Sequence, residues 1–97
     1  MPSVTLTTKQ LHSKLCKHTA EAHEVSYTER VCPECVARGD TWVQLRICMI
    51  CGHVGCCDSS TNRHARAHYQ ATGHPIIKTI EAEPDWAWCY PDDTYLK

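Results

Sequence analysis

The chain has 97 residues, ten Lys and Arg against eleven Asp and Glu, and a formal charge of −1. That length makes one small domain, 1–97, whose thin core calls for disulfides or metals. The charge balance excludes a nucleic-acid module, which carries a basic stripe. Arg63 and Arg66 are too few for one and read as solvated charges.

No apolar run is long enough to cross a membrane. The segment Met1-Pro2-Ser3-Val4-Thr5 has neither the basic nor the apolar part of a signal peptide. The eight cysteines stand partly as Cys-x-x-Cys pairs and mix with seven histidines, a pattern that suits metal ligation over disulfides. The expected location is therefore a reducing cytoplasm. Phe is absent, so three Trp and four Tyr carry the aromatic packing.

Residues 3–15 are polar around Leu6, Leu11 and Leu15, and the last two are spaced for a short helix. Cys16-Lys17-His18 is a tight chelating spacing that needs partners elsewhere. His12 and His23 read as solvent-exposed, and 19–31 as a connecting loop. Cys32-Pro33-Glu34-Cys35 is either a redox dithiol or a zinc knuckle. A redox motif needs a strand before it and a long helix after it. Arg38-Gly39-Asp40 interrupts too soon, which favours the knuckle.

Trp42–Ile47 alternates, with Val43, Leu45 and Ile47 on one face of a half-buried strand. It leads into a second knuckle, Cys48-x-x-Cys51-Gly52, where Gly52 and Gly55 let the backbone turn. Asp58, Ser59 or Ser60 is the expected cap of a helix over roughly 61–72. His64 and His68 share one face of that helix. Gly73 and Pro75 end it, with His74 between them. Ile76–Ile80 is a second strand, 81–85 an acidic loop and Trp86–Tyr90 a third strand. Asp92 and Asp93 form a turn, and Tyr95 lies near the end.

The candidate metal ligands are Cys16, His18, Cys32, Cys35, Cys48, Cys51, Cys56, His64, His68, His74, Cys89 and Asp92. They suffice for three tetrahedral sites. A site closed by four protein ligands is structural, whereas a catalytic zinc keeps a position for water. Neither His-Glu-x-x-His nor the deaminase signature is present, so the chain reads as no enzyme. Spacing leaves open whether His64 and His68 chelate one ion or serve two. Cys57 is either an isolated buried thiol or a competitor of Cys56.

Together these motifs resemble a zinc finger of the ubiquitin-specific-protease type, the ZnF-UBP or BUZ domain, most closely its short stand-alone bacterial members. The features are Cys16-x-His18, Cys32-x-x-Cys35, Trp42, Cys48-x-x-Cys51-Gly52, Cys56, His64-x-x-x-His68, Gly73-His74-Pro75 and Trp88-Cys89-Tyr90. They run in the family's order and cover about residues 14–96. The resemblance implies an α+β fold: a small zinc-stabilised domain with a twisted, mostly antiparallel sheet, one main helix and interleaved zinc knuckles. It implies one zinc on Cys32, Cys35, Cys56 and His64 and a second on Cys48, Cys51, His68 and His74. A third falls to Cys16, His18, Cys89 and Asp92, with Asp92 where many members have Cys. A carboxylate is a harder donor than thiolate, so two to three ions are expected, the third bound most weakly.

In ubiquitin-binding members a deep aromatic pocket receives a free C-terminal carboxylate, beside an arginine that closely follows a ligand cysteine. Trp88, Tyr90 and Tyr95 match the aromatic positions, with plain core packing as the alternative for Trp88 and Tyr90. The arginine does not match: this chain reads Cys57-Asp58-Ser59, leaving Arg63 or Arg46 as substitutes. The expected function is a non-catalytic zinc-binding module that captures a protein or peptide C-terminus. Ubiquitin itself is expected to bind weakly or not at all, because Asp58 repels a carboxylate. The alternatives are a purely structural zinc domain docking a protein partner, or a thiol redox or zinc-responsive switch.

Overall fold

The structure, a computed structural model, describes residues 2–14, 16–81 and 86–96. Leu15 and all of the expected acidic loop except Glu81 lie outside the described residues. The described residues form two antiparallel sheets. The small one pairs β1 (Ser3–Val4) with β2 (Val25–Ser26). The large one has the order β4-β3-β5-β6-β7, built from β3 (Leu45–Cys48), β4 (Val54–Cys56), β5 (Ile76–Thr79), β6 (Ala87–Cys89) and β7 (Thr94–Leu96). Every neighbouring pair in it is antiparallel. Among the described residues no helix is long and apolar enough to cross a membrane.

Strand alternation divides the large sheet into two faces, since successive side chains point to opposite sides. On one face Leu45, Ile47, Ile76, Ala87, Cys89 and Leu96 are buried together, with Leu6, Val25 and Met49 closing over them. The register places Arg46 beside Thr79, Ile77 beside Trp88 and Trp88 beside Tyr95, so these residues share the other face. The expected strand at 42–47 thus begins later than its sequence pattern. Leu45 and Ile47 are core, but Val43 precedes β3 and is exposed. Its N–H is taken by the Ser60 hydroxyl at 2.9 Å instead of a neighbouring strand.

Among the described residues, three α-helices accompany the sheets. Helix α1 (Thr8–Leu11) opens with a capping box in which Thr7 and Gln10 exchange side-chain hydrogen bonds. Helix α2 (Pro33–Arg38) has Cys32 as its N-cap and ends at Gly39 with φ 76°. It is short, and it starts inside the first knuckle. Helix α3 (His64–Thr72) ends at Gly73, whose N–H donates to the Tyr69 carbonyl at 2.7 Å. The expected caps at 58–60 do not serve α3. Ser60 is committed to Val43, and Asp58 to Arg66. Arg63, in a left-handed conformation (φ 48°), leads into the helix without a side-chain cap. Within the expected loop at 19–31 the structure adds a 3-10 turn, His18–Glu21, and strand β2.

Helix α3 lies directly on β4. A Cβ at Gly55 would stand 2.6 Å from the Ala65 backbone nitrogen and 2.9 Å from the His64 carbonyl carbon. Backbone cannot yield as a flexible side chain does, so Gly55→Ala must push α3 off the sheet. The expected loss is about 1–3 kcal/mol in denaturant unfolding, together with faster metal release because His64 moves with Ala65. Gly39→Ala meets no atom within 4 Å and strains only its positive φ. It should cost about 1–2 kcal/mol and leave metal retention unchanged. Equal metal release by both variants would contradict this account of Gly55.

Candidate metal centres and the aromatic cleft

The structure gathers twelve donors into three groups of four, each with all donor atoms within 4.8 Å of one another. The first holds Cys32, Cys35, Cys56 and His64. Cys32 and Cys35 sit at the start of α2, Cys56 ends β4, and His64 opens α3. His64 Nδ1 lies 3.2, 3.4 and 3.5 Å from the sulfurs of Cys32, Cys35 and Cys56. The sulfurs of Cys35 and Cys56 are 3.9 Å apart. Bonds of about 2.3 Å to sulfur and 2.0 Å to nitrogen give tetrahedron edges of roughly 3.5–3.8 Å, so the spacing fits zinc. Two further donors reach the sulfurs: the His64 N–H to Cys56 at 3.1 Å and the Asn62 amide to Cys35 at 3.6 Å.

The second group holds Cys48, Cys51, His68 and His74. Cys48 Sγ is 3.4 Å from His74 Nδ1, and Cys51 Sγ is 3.3 Å from His68 Nε2. His53 stacks on the His68 ring, with centroids 4.2 Å apart, and its Nε2 is 2.8 Å from a Glu34 carboxylate oxygen. The turn residue His53 therefore braces a donor that sequence spacing gave no contact. Its distance from His68 in the chain hides this, although its place inside the knuckle is a usable signal. Burial, then the neighbouring His53 and His74, lowers the His68 pKa and favours its neutral, donor form.

The third group holds Cys16, His18, Cys89 and Asp92. His18 Nδ1 is 3.3 Å from both Cys89 Sγ and Asp92 Oδ2, and 3.6 Å from Cys16 Sγ. Cys16 and Cys89 are buried, but His18 and Asp92 keep 39% and 35% of their side-chain surface in solvent.

The thiols expose the electrostatic demand of these sites. Burial pushes Cys32 and Cys89 up to about 12, and raises Cys48 and Cys56. A divalent cation reverses that balance by stabilising thiolates directly. All eight cysteines are free thiols, consistent with a donor set rather than a disulfide framework.

A separate cleft of about 220 Å³ opens on the non-core face of the large sheet. Trp86, Trp88, Tyr90 and Tyr95 form its aromatic walls, Arg46 and Ile77 lie in it, and Cys57, Asp58 and Ser59 border it. Trp86 and Trp88 both meet Tyr95 edge to face, at 5.3 and 4.7 Å. Tyr90 is stacked on Tyr69 of α3 at 4.6 Å, so it both packs and lines. The sequence reading named Trp88, Tyr90 and Tyr95. Trp86 joins them because it alternates in phase with Trp88.

Arg46 is 8% exposed and lies over the Trp86 ring, 4.5 Å from its centroid. It donates to the Leu45 carbonyl at 2.8 Å and to Gln44 Oε1 at 3.0 Å. Among the described residues no carboxylate forms an ion pair with it. Burial lowers its pKa. Asp58 is instead held by Arg66, with contacts of 3.1, 3.0 and 2.6 Å, and Arg66 also lies over Tyr90. The Asp58 charge beside the cleft is thus already met by a cation. Arg63 is exposed at the helix start and does not line the cleft. For Cys57, burial raises the thiol pKa, but hydrogen bonds from Ser60 and the backbone, with the Arg46 charge, outweigh it and lower the net value.

The sequence pattern of a family described as "Zn-finger in ubiquitin-hydrolases and other protein" matches residues 32–97. The chain belongs to this family. The NAD-dependent deacetylase sir2A of Dictyostelium discoideum is 37% identical to this chain over 65 residues, 67% of this chain and 11% of that protein. The human BRCA1-associated protein is 34% identical over 68 residues, 70% of this chain and 10% of that protein. This zinc finger therefore spans about a tenth of the length of those relatives. A Rhodopseudomonas palustris protein of known solution NMR structure is 46% identical, with a TM-score of 0.76 over 84% of this chain and 80% of that one.

If the donor groups hold separate ions, His64→Ala and His68→Ala should each lower bound zinc by about one ion per chain, as the loss of one closed four-ligand site. The two variants should empty different groups. Elemental analysis combined with cobalt substitution spectra distinguishes them, since the first group carries three thiols and the second two. Asp92→Cys should tighten the third site. One and the same ion lost from both histidine variants would refute the division.

Proposed function

We propose that this zinc finger is a non-catalytic binding module whose cleft captures the C-terminal carboxylate of a protein or peptide. The observation that carries this is Arg46: a buried guanidinium in an aromatic cleft, without an acidic partner among the described residues. Burying a guanidinium that is met by neutral acceptors is costly, and an entering anion offsets that cost. The aromatic walls otherwise resemble a cage for a cationic ligand. Arg46 already occupies a ring face, which favours an anion instead. A broader groove of about 640 Å³, near Tyr27, Val36 and His53, contains no Lys or Arg to anchor a carboxylate.

In this reading Cys32, Cys35, Cys56 and His64 hold one zinc, Cys48, Cys51, His68 and His74 a second, and Cys16, His18, Cys89 and Asp92 a third. The ions are structural, since each group supplies four donors. Trp88, Tyr90 and Tyr95 flank the ligand backbone. Free thiol donors suit a reducing compartment, and the cytoplasm is the proposed location. Ubiquitin is the less favoured ligand, because Asp58 and Ser59 stand where ubiquitin-binding relatives are expected to present an arginine.

Calorimetry should detect a peptide with a free C-terminus and none of its C-terminally amidated form. A charge-assisted hydrogen bond is worth about 1.5–3 kcal/mol, so Arg46→Gln should weaken binding roughly ten- to a hundredfold. Equal binding of the free and amidated peptides would rule the reading out and leave a structural zinc domain that docks through another surface. Intact ubiquitin and ubiquitin lacking its last two residues, titrated in parallel, decide whether that tail is the ligand.

A further inference from the structure

We propose that Cys16, His18, Cys89 and Asp92 form an exchangeable zinc site whose ion orders the aromatic hairpin, so that zinc supply sets whether the cleft is formed. The consequence for ligand capture rests on the reading of the cleft given above, whereas the effect on the hairpin does not. All four aromatic walls, Trp86, Trp88, Tyr90 and Tyr95, lie within residues 86–96, the stretch that holds β6, a turn and β7. Cys89 ends β6, and Asp92 lies in the turn. Alternation puts Trp88 on the cleft face and Cys89 on the core face, so this donor backs the wall directly. The other two donors lie far away in the chain: His18 precedes Cys89 by 71 residues. The spacings of 3.3–3.6 Å about His18 Nδ1 are close to the 3.2–3.5 Å of the first group, which fit zinc.

The hairpin is unevenly fastened. β6 is paired with β5, and Tyr90 is held by the Pro75 carbonyl and the Tyr69 ring. β7 has three residues, β6 as its strand neighbour and Leu96 as its buried anchor. Strands that short give a hairpin little stability of their own. Asp93 closes the turn with a 3.1 Å hydrogen bond to the Tyr90 carbonyl, in a left-handed conformation (φ 52°). Through Asp92, an ion in this group ties that turn to residues 16–18. The first group has four buried donors, three of them thiols. Here a carboxylate replaces one thiol, and the His18 and Asp92 side chains remain more than a third exposed. A hard oxygen donor holds zinc less tightly than a soft thiolate, and open donors admit water and competing chelators. This group therefore empties first as free zinc falls. Emptying it releases the turn and the spacing of the four rings, while β3, β4 and α3 keep the ions of the other two groups.

The test lowers free zinc in steps around the zinc-loaded full chain, using chelators of graded strength. Elemental analysis counts the ions, and amide NMR spectra report each strand. The expected first event is the loss of one ion of three. Signals from 16–18 and 86–96 should shift or broaden, those of β3, β4 and α3 should stay, and added zinc should restore the rest. His18→Ala should bind two ions in zinc excess and show the same changes in the distant hairpin, which a local effect of the substitution does not produce. Asp92→Cys should hold the third ion at free zinc levels that empty the unaltered chain. Calorimetry with a carboxylate-ended peptide should find binding to the three-ion form and its loss with two ions. Two ions on the unaltered chain in zinc excess, first changes in β3 or α3, or an unmoved hairpin after the first ion leaves would overturn the proposal. If the hairpin responds but the three-ion chain binds no peptide, the cleft reading falls alone. If the peptide binds equally with two and with three ions, the cleft reading stands and the proposed control of it falls.

Discussion

Everything in this fold depends on α3 being tied down at two points one helical turn apart. His64 meets sulfurs from α2 and β4, and His68 meets a sulfur from the turn between β3 and β4. The β3–β4 hairpin contributes to both groups, through Cys48 and Cys51 on one side and Cys56 on the other. A helix of nine residues is too short to hold its place by its own propensity. The proposed ions convert it into a strut. The same donors are also core residues: Cys32, Cys35, Cys56, Cys16 and Cys89 are buried with Leu45, Ile47 and Leu96. Without a cation, burial drives the Cys32, Cys56 and Cys89 sulfurs toward the neutral thiol, so metal binding and packing are one process.

The sheet then separates stability from recognition by the period of two. Its core face is aliphatic and contributes Cys89 to the third donor group. Its other face carries Arg46, Ile77, Trp88 and Tyr95, which the antiparallel register brings side by side from four strands. A shift of one residue in β6 would exchange Trp88 for Cys89, emptying a donor position and the cleft wall together. The metal groups and the cleft are thus coupled through register, although they share no residue.

Much of this was legible in the sequence because it depends on spacing. Cys-x-x-Cys turns, a His-x-x-x-His helix and the Trp88-Cys89-Tyr90 alternation mark the donors and rings, while the division of the donors into groups came with the family resemblance. The main helix follows from these motifs, whereas the α+β class and the antiparallel sheet were implied by the family resemblance. The α3 start is less legible because it is set by distant partners: Ser60 serves Val43 and Asp58 serves Arg66, which removes the expected caps. The short strands β1, β2, β4 and β7 carry too few residues for any period to show. The contact of His53 with His68 joins residues far apart in the chain and had no sequence signature beyond the knuckle itself.

The placement of charge around the cleft changes the meaning of Asp58. From sequence, an acid beside Cys57 opposes a carboxylate ligand. In the fold, Asp58 keeps 49% of its side-chain surface in solvent and Arg66 forks onto it, so its field inside the cleft is largely cancelled and screened. Arg46 is the reverse case, buried and hydrogen-bonded, among the described residues, to neutral acceptors. An exposed, paired acid influences the cleft less than a buried base, because the effective dielectric falls with depth. The net electrostatic character of the cleft is therefore set by strand β3 rather than by the loop after β4. An arginine in β3 is also rigidly held by the sheet, whereas one in the loop has to be ordered when the ligand arrives. That difference favours a ligand that fits a fixed anion position over one that moulds the loop around itself.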